Sequence, residues 1–365
     1  MKASYLTAGV KLDQLLRILH RNKISYNATT LFRLAFLLQS ACWSSFFSWI
    51  EKARYSKALK KAPVPDDPIF IIGHWRTGST FLHQLMNLDS QLCAPSLFQV
   101  AVPDSFLVSY PYYRPIFKQV VSEHRPMDHV KIGMDEPQED EYAIYRITNY
   151  SPLENLVFPK SPSYFLNHGS PFIPSGNHLV QWKNEVKGFY KKLFFLKGKR
   201  IVSKNPFNSF RIRELYEMFP NARFIHIVRN PNCVVPSTIH MWNILCRQNA
   251  MNNHGTRPEF SEVVGVLKNL LQTIDKLAEI LPQGTMIQIR FEDLESSPVE
   301  VLKSIYRDLG MPFTEAFQSR IEDFMVQNES FRKNQFTLTA EEKSIISREL
   351  GFQMKDCRYD QDNAR

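Results

Sequence analysis

The chain has 365 residues, 44% hydrophobic and 22% charged, a globular composition that excludes a disordered tail, a collagen-like repeat and a disulfide-stapled mini-domain. Five scattered cysteines with no C-x-x-C pair point to reduced thiols in a cytoplasmic protein and to no zinc site. The net charge of +9 resides in residues 1–61, where eleven basic residues stand against only Asp13 and Glu51. The rest is balanced, which argues against nucleic acid as a partner and for an acidic surface, most simply anionic lipid, facing that one segment.

The first predicted element is a helical arm. Residues 34–50 form a charge-free run of 17 that includes Gln39 and four serines. A spanning helix needs about 20 predominantly apolar residues, so this run is too short and too polar to cross a bilayer. It also starts too far from Met1, and lacks the small-residue cleavage pattern, for a signal peptide. Phe46, Phe47 and Trp49, followed by Lys52, Arg54, Lys57, Lys60 and Lys61, suit a helix lying in a membrane interface. Packing of the apolar face on the main domain, or on a second copy of the chain, satisfies the same pattern.

A proline-rich break from Lys61 to Pro68 precedes Ile69–Ile72, a short apolar run bounded by Gly73 that reads as a buried strand. The pattern recurs at residues 200–203, 223–228 and 286–291, with helices predicted over 210–219, 262–281 and 299–309. Strands alternating with helices predict an α/β fold on a parallel sheet. Residues 150–176, rich in proline and serine, read as an irregular excursion.

Two strand–turn–helix segments carry the chemistry. Gly73-His74-Trp75-Arg76-Thr77-Gly78-Ser79-Thr80 puts backbone N–H groups at a helix N-terminus, an anion site. Its spacing is that of a nucleotide P-loop, but Ser79 stands where the lysine belongs, which weakens a triphosphate–Mg²⁺ reading; the cation is Arg76, on the turn itself. The second segment is His226-Ile227-Val228-Arg229-Asn230-Pro231, with Ser237 eight residues after Arg229. A strand-end arginine with a hydroxyl two turns into the next helix suits a phosphate monoester.

Together the two segments resemble the sulfotransferases that use 3′-phosphoadenosine 5′-phosphosulfate (PAPS), in particular a bacterial-type branch. The family's 5′-phosphosulfate loop, basic-x-G-[TS]-T, matches Arg76-Thr77-Gly78-Ser79-Thr80, and its 3′-phosphate pair matches Arg229 and Ser237. Further similarity lies in Arg125-Pro126-Met127-Asp128, in Pro137 to Glu141, in Ser203-Lys204-Asn205-Pro206 and in Arg290-Phe291-Glu292-Asp293-Leu294. The resemblance implies a P-loop-like central parallel sheet flanked by helices, with a basic arm at 1–61, a sulfotransferase domain at 66–352 and a tail at 353–365. It implies PAPS as co-substrate, adenosine 3′,5′-bisphosphate as product, and no metal. It places Arg76 beside the sulfonate, Thr77, Gly78, Ser79, Thr80 and Phe81 around the 5′-phosphate, and Lys204 at the bridging oxygen. Lys333 joins Arg229 and Ser237 as a weaker candidate for the 3′-phosphate.

Relatives use histidine or glutamate as general base, and this chain has Ser96 and Gln99 where some carry a glutamate. The acids at Glu139-Asp140-Glu141 are the next candidates, Glu139 first and Glu141 second; acids at a helix start also serve the helix dipole alone. His74 and His124 are weaker candidates, His226 reads as a core histidine, and Glu292 and Asp293 read as structural. Trp75, Phe98, Phe106 and residues 110–113 are candidates for an acceptor pocket or for core. The charge-localised, aromatic-rich arm points to a hydrophobic hydroxyl acceptor (steroid, sterol or lipid) met at the inner face of a membrane, and leaves a homodimer open. The competing readings are an ATP/Mg²⁺-dependent small-molecule kinase and a catalytically silent nucleotide- or membrane-binding protein.

Overall fold

The computed structural model describes residues 6–22, 24, 27–120, 133–148, 150–158, 173–251, 258–328, 334, 336–356 and 359. In chain order, α1 (Leu12–Arg21) and α2 (Ala28–Lys61) precede β1 (Ile69–Ile72), α3 (Ser79–Asn87) and β2 (Leu92–Cys93). Next come α4 (Leu97–Ala101), α5 (Phe106–Val120), α6 (Glu141–Thr148), α7 (Glu154–Val157) and α8 (Asn177–Lys197). β3 (Arg200–Lys204), a 3₁₀ turn at Pro206–Phe210, α9 (Ile212–Met218), β4 (Arg223–Val228) and α10 (Pro231–Asn249) follow. The chain ends with α11 (Phe260–Ala278), β5 (Met286–Arg290), α12 (Phe291–Ser296), α13 (Pro298–Asp308), α14 (Glu315–Gln327) and α15 (Ala340–Asp356).

These elements form two compact units, each assembled from separate stretches of chain. One comprises Met1–Pro65, Pro95–Gly198 and Met241–Pro258; the other comprises Asp66–Ala94, Lys199–His240 and Glu259–Arg365.

The second unit holds the sheet, with strand order β2-β3-β1-β4-β5 and every pairing parallel. All four residues of β1 are buried, which is why it reads as a continuous apolar run: a central parallel strand is covered on both faces. Ile69, Ile71, Leu82, Val202, Ile225 and Ile227 share one core with Leu302, Ile305 and Phe317. The predicted strands are all present, with shifts of one residue at the ends of β3, which extends to Lys204, and of β5. Phe291 does not end the strand but starts α12. β2 is two residues long, too short to leave a pattern. Because the strands are parallel, the turns after β1, β3, β4 and β5 all leave from the same edge. The connections diverge between β1 and β4, the crevice where open α/β sheets bind ligands.

The first unit is helical and contains the arm. Leu15 and Ile18 of α1 are buried, and the inner face of α2 repeats at helical spacing through Leu37, Ala41, Ser44, Phe47 and Glu51. Polar ties reinforce that packing. Arg146 Nε donates to the Ala8 carbonyl at 2.7 Å, and Gln14 Nε2 to the Ile147 carbonyl at 2.7 Å. Glu51 and Lys192 form a buried ion pair between α2 and α8, with Leu107 N donating to the other Glu51 oxygen at 2.8 Å. Burial pushes the Glu51 carboxyl up and the Lys192 ammonium down, each opposed by the other's charge. The arm therefore packs along one face. The opposite face carries exposed Leu31, Phe32, Leu38, Trp43, Phe46 and Trp49. No helix among the described residues is long and apolar enough to cross a membrane.

Candidate active site

The turn after β1 is shaped by two glycines. Gly73 lies at φ +137° where an added Cβ would meet the Ile227 carbonyl oxygen at 2.5 Å, so β1 and β4 approach here as only glycine permits. Gly78 lies at φ +91°, and an added Cβ would fall 2.0 Å from the Phe291 ring. Between them Arg76 adopts φ +68°, the one non-glycine residue with left-handed backbone among those described. Such strain persists only where the surroundings impose it, and it collects at functional turns.

The loop is held from within and from outside. Thr77 Oγ1 donates to the His74 carbonyl at 2.8 Å, so the threonine hydroxyl shapes the turn and faces inward. Gly73 N donates to Ser209 Oγ at 2.9 Å, and that hydroxyl sits 3.2 Å from the Gly73 carbonyl. The Trp75 ring meets Phe207 edge-on at 5.0 Å. α3 begins at Ser79, and its first backbone acceptor, Gly78 O, takes Leu82 N at 3.2 Å. The amides of Ser79, Thr80 and Phe81 precede that bond and belong to the helix's first turn, the anion-binding end of a helix.

Three of the predicted cofactor residues converge on this loop. Arg76 Nε donates to Ser237 Oγ at 2.9 Å. Arg229 Nη1 donates to the Arg76 carbonyl at 3.1 Å. The Arg229 guanidinium lies 4.3 Å over the Phe291 ring, the same ring that fills the space beside Gly78. Thr238 Oγ1, next to Ser237, donates to the Trp75 carbonyl at 3.4 Å. The two anion motifs thus form one surface, and the residue assigned to the phosphosulfate bonds directly to one assigned to the 3′-phosphate. The sheet supplies the fourth residue. Lys204 ends β3 in register with Ile71, two residues before Gly73, and is 2% exposed.

His74 and His226 stand behind this surface, both buried. They line a cavity of about 20 Å³ together with Thr77, Arg229 and Tyr359. His74 Nδ1 meets the Trp75 carbonyl at 3.0 Å and His226 Nδ1 meets Gln288 Oε1 at 3.2 Å; neither Nε2 has a partner among the described residues. Burial, the dominant cause in each case, lowers both imidazoles from 6.5 to about 4. His226 is the expected core histidine, partnered at one nitrogen only. His74 is enclosed in the same way.

The acidic candidates belong to the helical unit. Segment 133–138 runs beside 95–98, with Leu97 N donating to the Glu136 carbonyl and Phe98 N to the Met134 carbonyl, both at 2.9 Å. Ser96 caps α4 and Gln99 Oε1 accepts from Ser96 N at 2.8 Å, so the two residues standing in place of a glutamate form a reciprocal cap. Asp140 is buried and accepts from Tyr190 OH at 2.5 Å. Glu141 is buried and accepts from Ser151 Oγ at 2.6 Å. Glu139 alone of the three retains partial exposure. Phe98, Phe106 and Trp75 are buried core residues, whereas Tyr112 is 62% exposed.

Lys333, His124 and residues 125–128 lie outside the described residues. Phe336, three residues past Lys333, packs its ring 5.6 Å from His240, one turn beyond Ser237 on α10. The sequence reading missed Ser209, whose only signal was its place after the Lys204-Asn205-Pro206 run. It also missed Phe291 and Tyr359: aromatic residues are read as core unless the turn they support is already known. Among the described residues no cluster of three or more His, Cys, Asp or Glu suited to a metal forms.

Comparison with known proteins gives the family. The profile of a family described as "Sulfotransferase family" matches residues 68–315. The chain is 30% identical over 350 residues, 96% of its length and 90% of the relative's, to the omega-hydroxy-beta-dihydromenaquinone-9 sulfotransferase Stf3 of Mycobacterium bovis and of Mycobacterium tuberculosis. The crystal structure of sulfotransferase STF9 from Mycobacterium avium superposes with a TM-score of 0.67 at 16% identity, covering 95% of this chain and 96% of that one. STF1 from Mycobacterium tuberculosis gives 0.61 at 17% identity, covering 94% and 92%. These structures share the fold; the profile and the sequence identity settle the kinship, and the chain belongs to the sulfotransferase family.

Proposed function

We propose that the chain transfers the sulfonate of PAPS to a hydroxyl on a hydrophobic acceptor. The observation that carries the donor half is the single surface formed by Arg76, Ser237 and Arg229 at the end of β1 and β4. In the proposed reaction the acceptor oxygen attacks sulfur, the sulfur–oxygen bond to the 5′-phosphate breaks, and adenosine 3′,5′-bisphosphate leaves with the bonding electrons. Arg76 and the first-turn amides of Ser79, Thr80 and Phe81 stabilise the charge that develops on the departing phosphate, with Gly78 allowing the close approach. Lys204 neutralises the bridging oxygen, and Arg229 and Ser237, with Lys333, hold the 3′-phosphate. Glu139 takes the acceptor's proton, an effect worth about 10²–10⁴-fold; its partial exposure favours it over Glu141, whose carboxylate is buried against Ser151. Membership of the sulfotransferase family sets the kinase reading aside.

The acceptor half rests on two supports. The relative Stf3 is named for an omega-hydroxylated dihydromenaquinone, a lipid alcohol. The exposed aromatic face of α2 and the basic charge concentrated in residues 1–61 suit an anionic bilayer, where such an acceptor resides. A steroid or sterol alcohol fits the same chemistry. In this proposal the enzyme is cytoplasmic, rests on the inner membrane face through the arm at 1–61, and carries its transferase domain at 66–352 with a tail at 353–365. A second copy of the chain is the alternative cover for the arm.

The test supplies sulfur-labelled PAPS and a cell extract split into lipid and aqueous fractions. The expected result is label in the lipid fraction, lost in Arg76→Ala and reduced at least about 100-fold in Glu139→Gln. Label confined to the aqueous fraction would reject the hydrophobic acceptor, and transfer into neither fraction would favour a silent binder.

A further inference from the structure

The residue that follows Arg229 is the point on which both 3′-phosphate ligands hang. Asn230 ends the β4 turn and caps α10. Its side-chain oxygen accepts from Asn232 N at 2.9 Å, and its carbonyl accepts from Cys233 N at 2.9 Å and Val234 N at 3.1 Å. Arg229 lies one residue before this cap and Ser237 two helical turns after it. The backbone of Asn230 thus sets both the exit direction of the arginine and the rotation of the helix that presents the serine.

That backbone is fixed from outside by a carboxylate on α12. Asn230 N donates to Glu292 Oε1 at 3.1 Å. The second oxygen of Glu292 accepts from Tyr359 OH at 2.7 Å. Tyr359 is 6% exposed, lies beyond the end of α15, and is turned back by its own amide, which donates to the Met354 carbonyl at 2.7 Å. The Arg290 guanidinium covers its ring at 4.9 Å, and the ring borders the cavity that Arg229 also lines. Both carboxylate oxygens of Glu292 are engaged, one by the turn and one by the C-terminal tyrosine.

We infer that Tyr359, acting through Glu292, is a positioning residue for the 3′-phosphate pair Arg229 and Ser237, so that the C-terminal segment sets the enzyme's affinity for its donor. The inference rests on the PAPS reading above. The physical reason is the geometry of a forked cation: Arg229 binds a phosphate in two-point fashion only if its backbone is held in register. Unlatching Glu292 loosens the cap without touching the ligand. The 5′-phosphate loop shares its bonds to Arg229 and Ser237 with this pair but has further supports of its own in Ser209, Phe207 and Thr77. A latch at Asn230 therefore affects the 3′ end of the nucleotide more than the 5′ end.

The experiment titrates the full-length protein calorimetrically with adenosine 3′,5′-bisphosphate and with adenosine 5′-monophosphate, which differ only in the 3′-phosphate. Tyr359→Phe, which removes one oxygen and keeps the ring, is expected to weaken bisphosphate binding about tenfold and to weaken monophosphate binding by clearly less than that. Glu292→Gln is expected to do the same, and the double variant to lose no more than either alone, because the two act in one chain. In turnover the loss appears in KM for PAPS and not in kcat. Equal weakening of both nucleotides, which general destabilisation would produce, or no weakening of either, overturns the inference. A wild-type protein that binds the two nucleotides equally overturns the PAPS reading instead, so the two failures are told apart.

Discussion

At the residue scale the turn after β1 is built by backbone conformations that side chains ordinarily refuse. Arg76 is held at φ +68° because its carbonyl accepts from Arg229 and its guanidinium reaches Ser237. A left-handed residue with a Cβ costs about 1–2 kcal/mol, and glycine escapes that cost at the expense of about 0.5–1 kcal/mol of chain entropy. Arg76→Ala and Arg76→Gly both remove the cation and the Ser237 bond. The glycine variant should nevertheless be the more stable of the two by about 0.5–1 kcal/mol, the reverse of the order in a helix. Denaturant titration of the two variants checks this, and a more stable alanine variant would mean the turn relaxes once the arginine is gone. Both variants lose transfer activity, so stability and function separate at one position. This was partly legible in the sequence. The spacing of Arg76, Gly78 and Thr80 marked an anion turn, but the inward bond of Thr77 and the Phe291 ring over Gly78 came only with the fold.

At the scale of the element, α2 answers the two readings of the arm together. Its buried residues, Leu37, Ala41, Ser44, Phe47 and Glu51, trace one stripe at three- and four-residue intervals, and its exposed apolar residues trace the other side. That two-sided character explains why the sequence left packing and membrane contact undecided: apolar residues stand on both faces of the stretch from Leu31 to Trp49, so the pattern alone does not say which face is covered. From Leu31 to Trp49 the exposed face runs about 27 Å at 1.5 Å per residue. Phe32 and Trp49 are 70% and 69% exposed, so replacing both by serine should change stability by no more than about 0.5 kcal/mol each. The same double variant should lose at least about tenfold in partitioning to vesicles containing anionic lipid. Vesicle sedimentation with the double variant and the wild type decides this. Unchanged partitioning would assign the face to another partner, and a concentration-dependent dimer that the substitutions dissolve would assign it to a second copy.

At the scale of the whole molecule, the strands were legible because β1, β3 and β4 are buried on both faces and so spell out apolar runs, and because Lys204 and Arg229 sit at strand carboxyl ends. The division into two units was not, since Met1–Pro65, Pro95–Gly198 and Met241–Pro258 come together only through long-range packing. Nor was the enclosure of His74, two residues beyond the strand and beside the anion turn, where an exposed histidine was equally compatible with the sequence. That enclosure governs how the fold responds to acid. His74 and His226 each have a folded-state value lowered from 6.5 to about 4, with burial as the first cause. Above about pH 7 neither state of the chain binds these protons, and stability is insensitive to them. Between 6.5 and about 4 the unfolded chain takes up protons that the folded chain refuses, so stability falls as pH falls. The full loss amounts to about 3 kcal/mol per histidine and levels off below the folded value. Unfolding near pH 5 should therefore be accompanied by net uptake from these two sites, and His226→Leu should remove about half of the histidine-linked slope. Denaturant titrations of wild type and variant across pH 7.5 to 4.5 measure it. Parallel curves for the two proteins would show that His226 is open to water, and with it the wall behind the turn after β1.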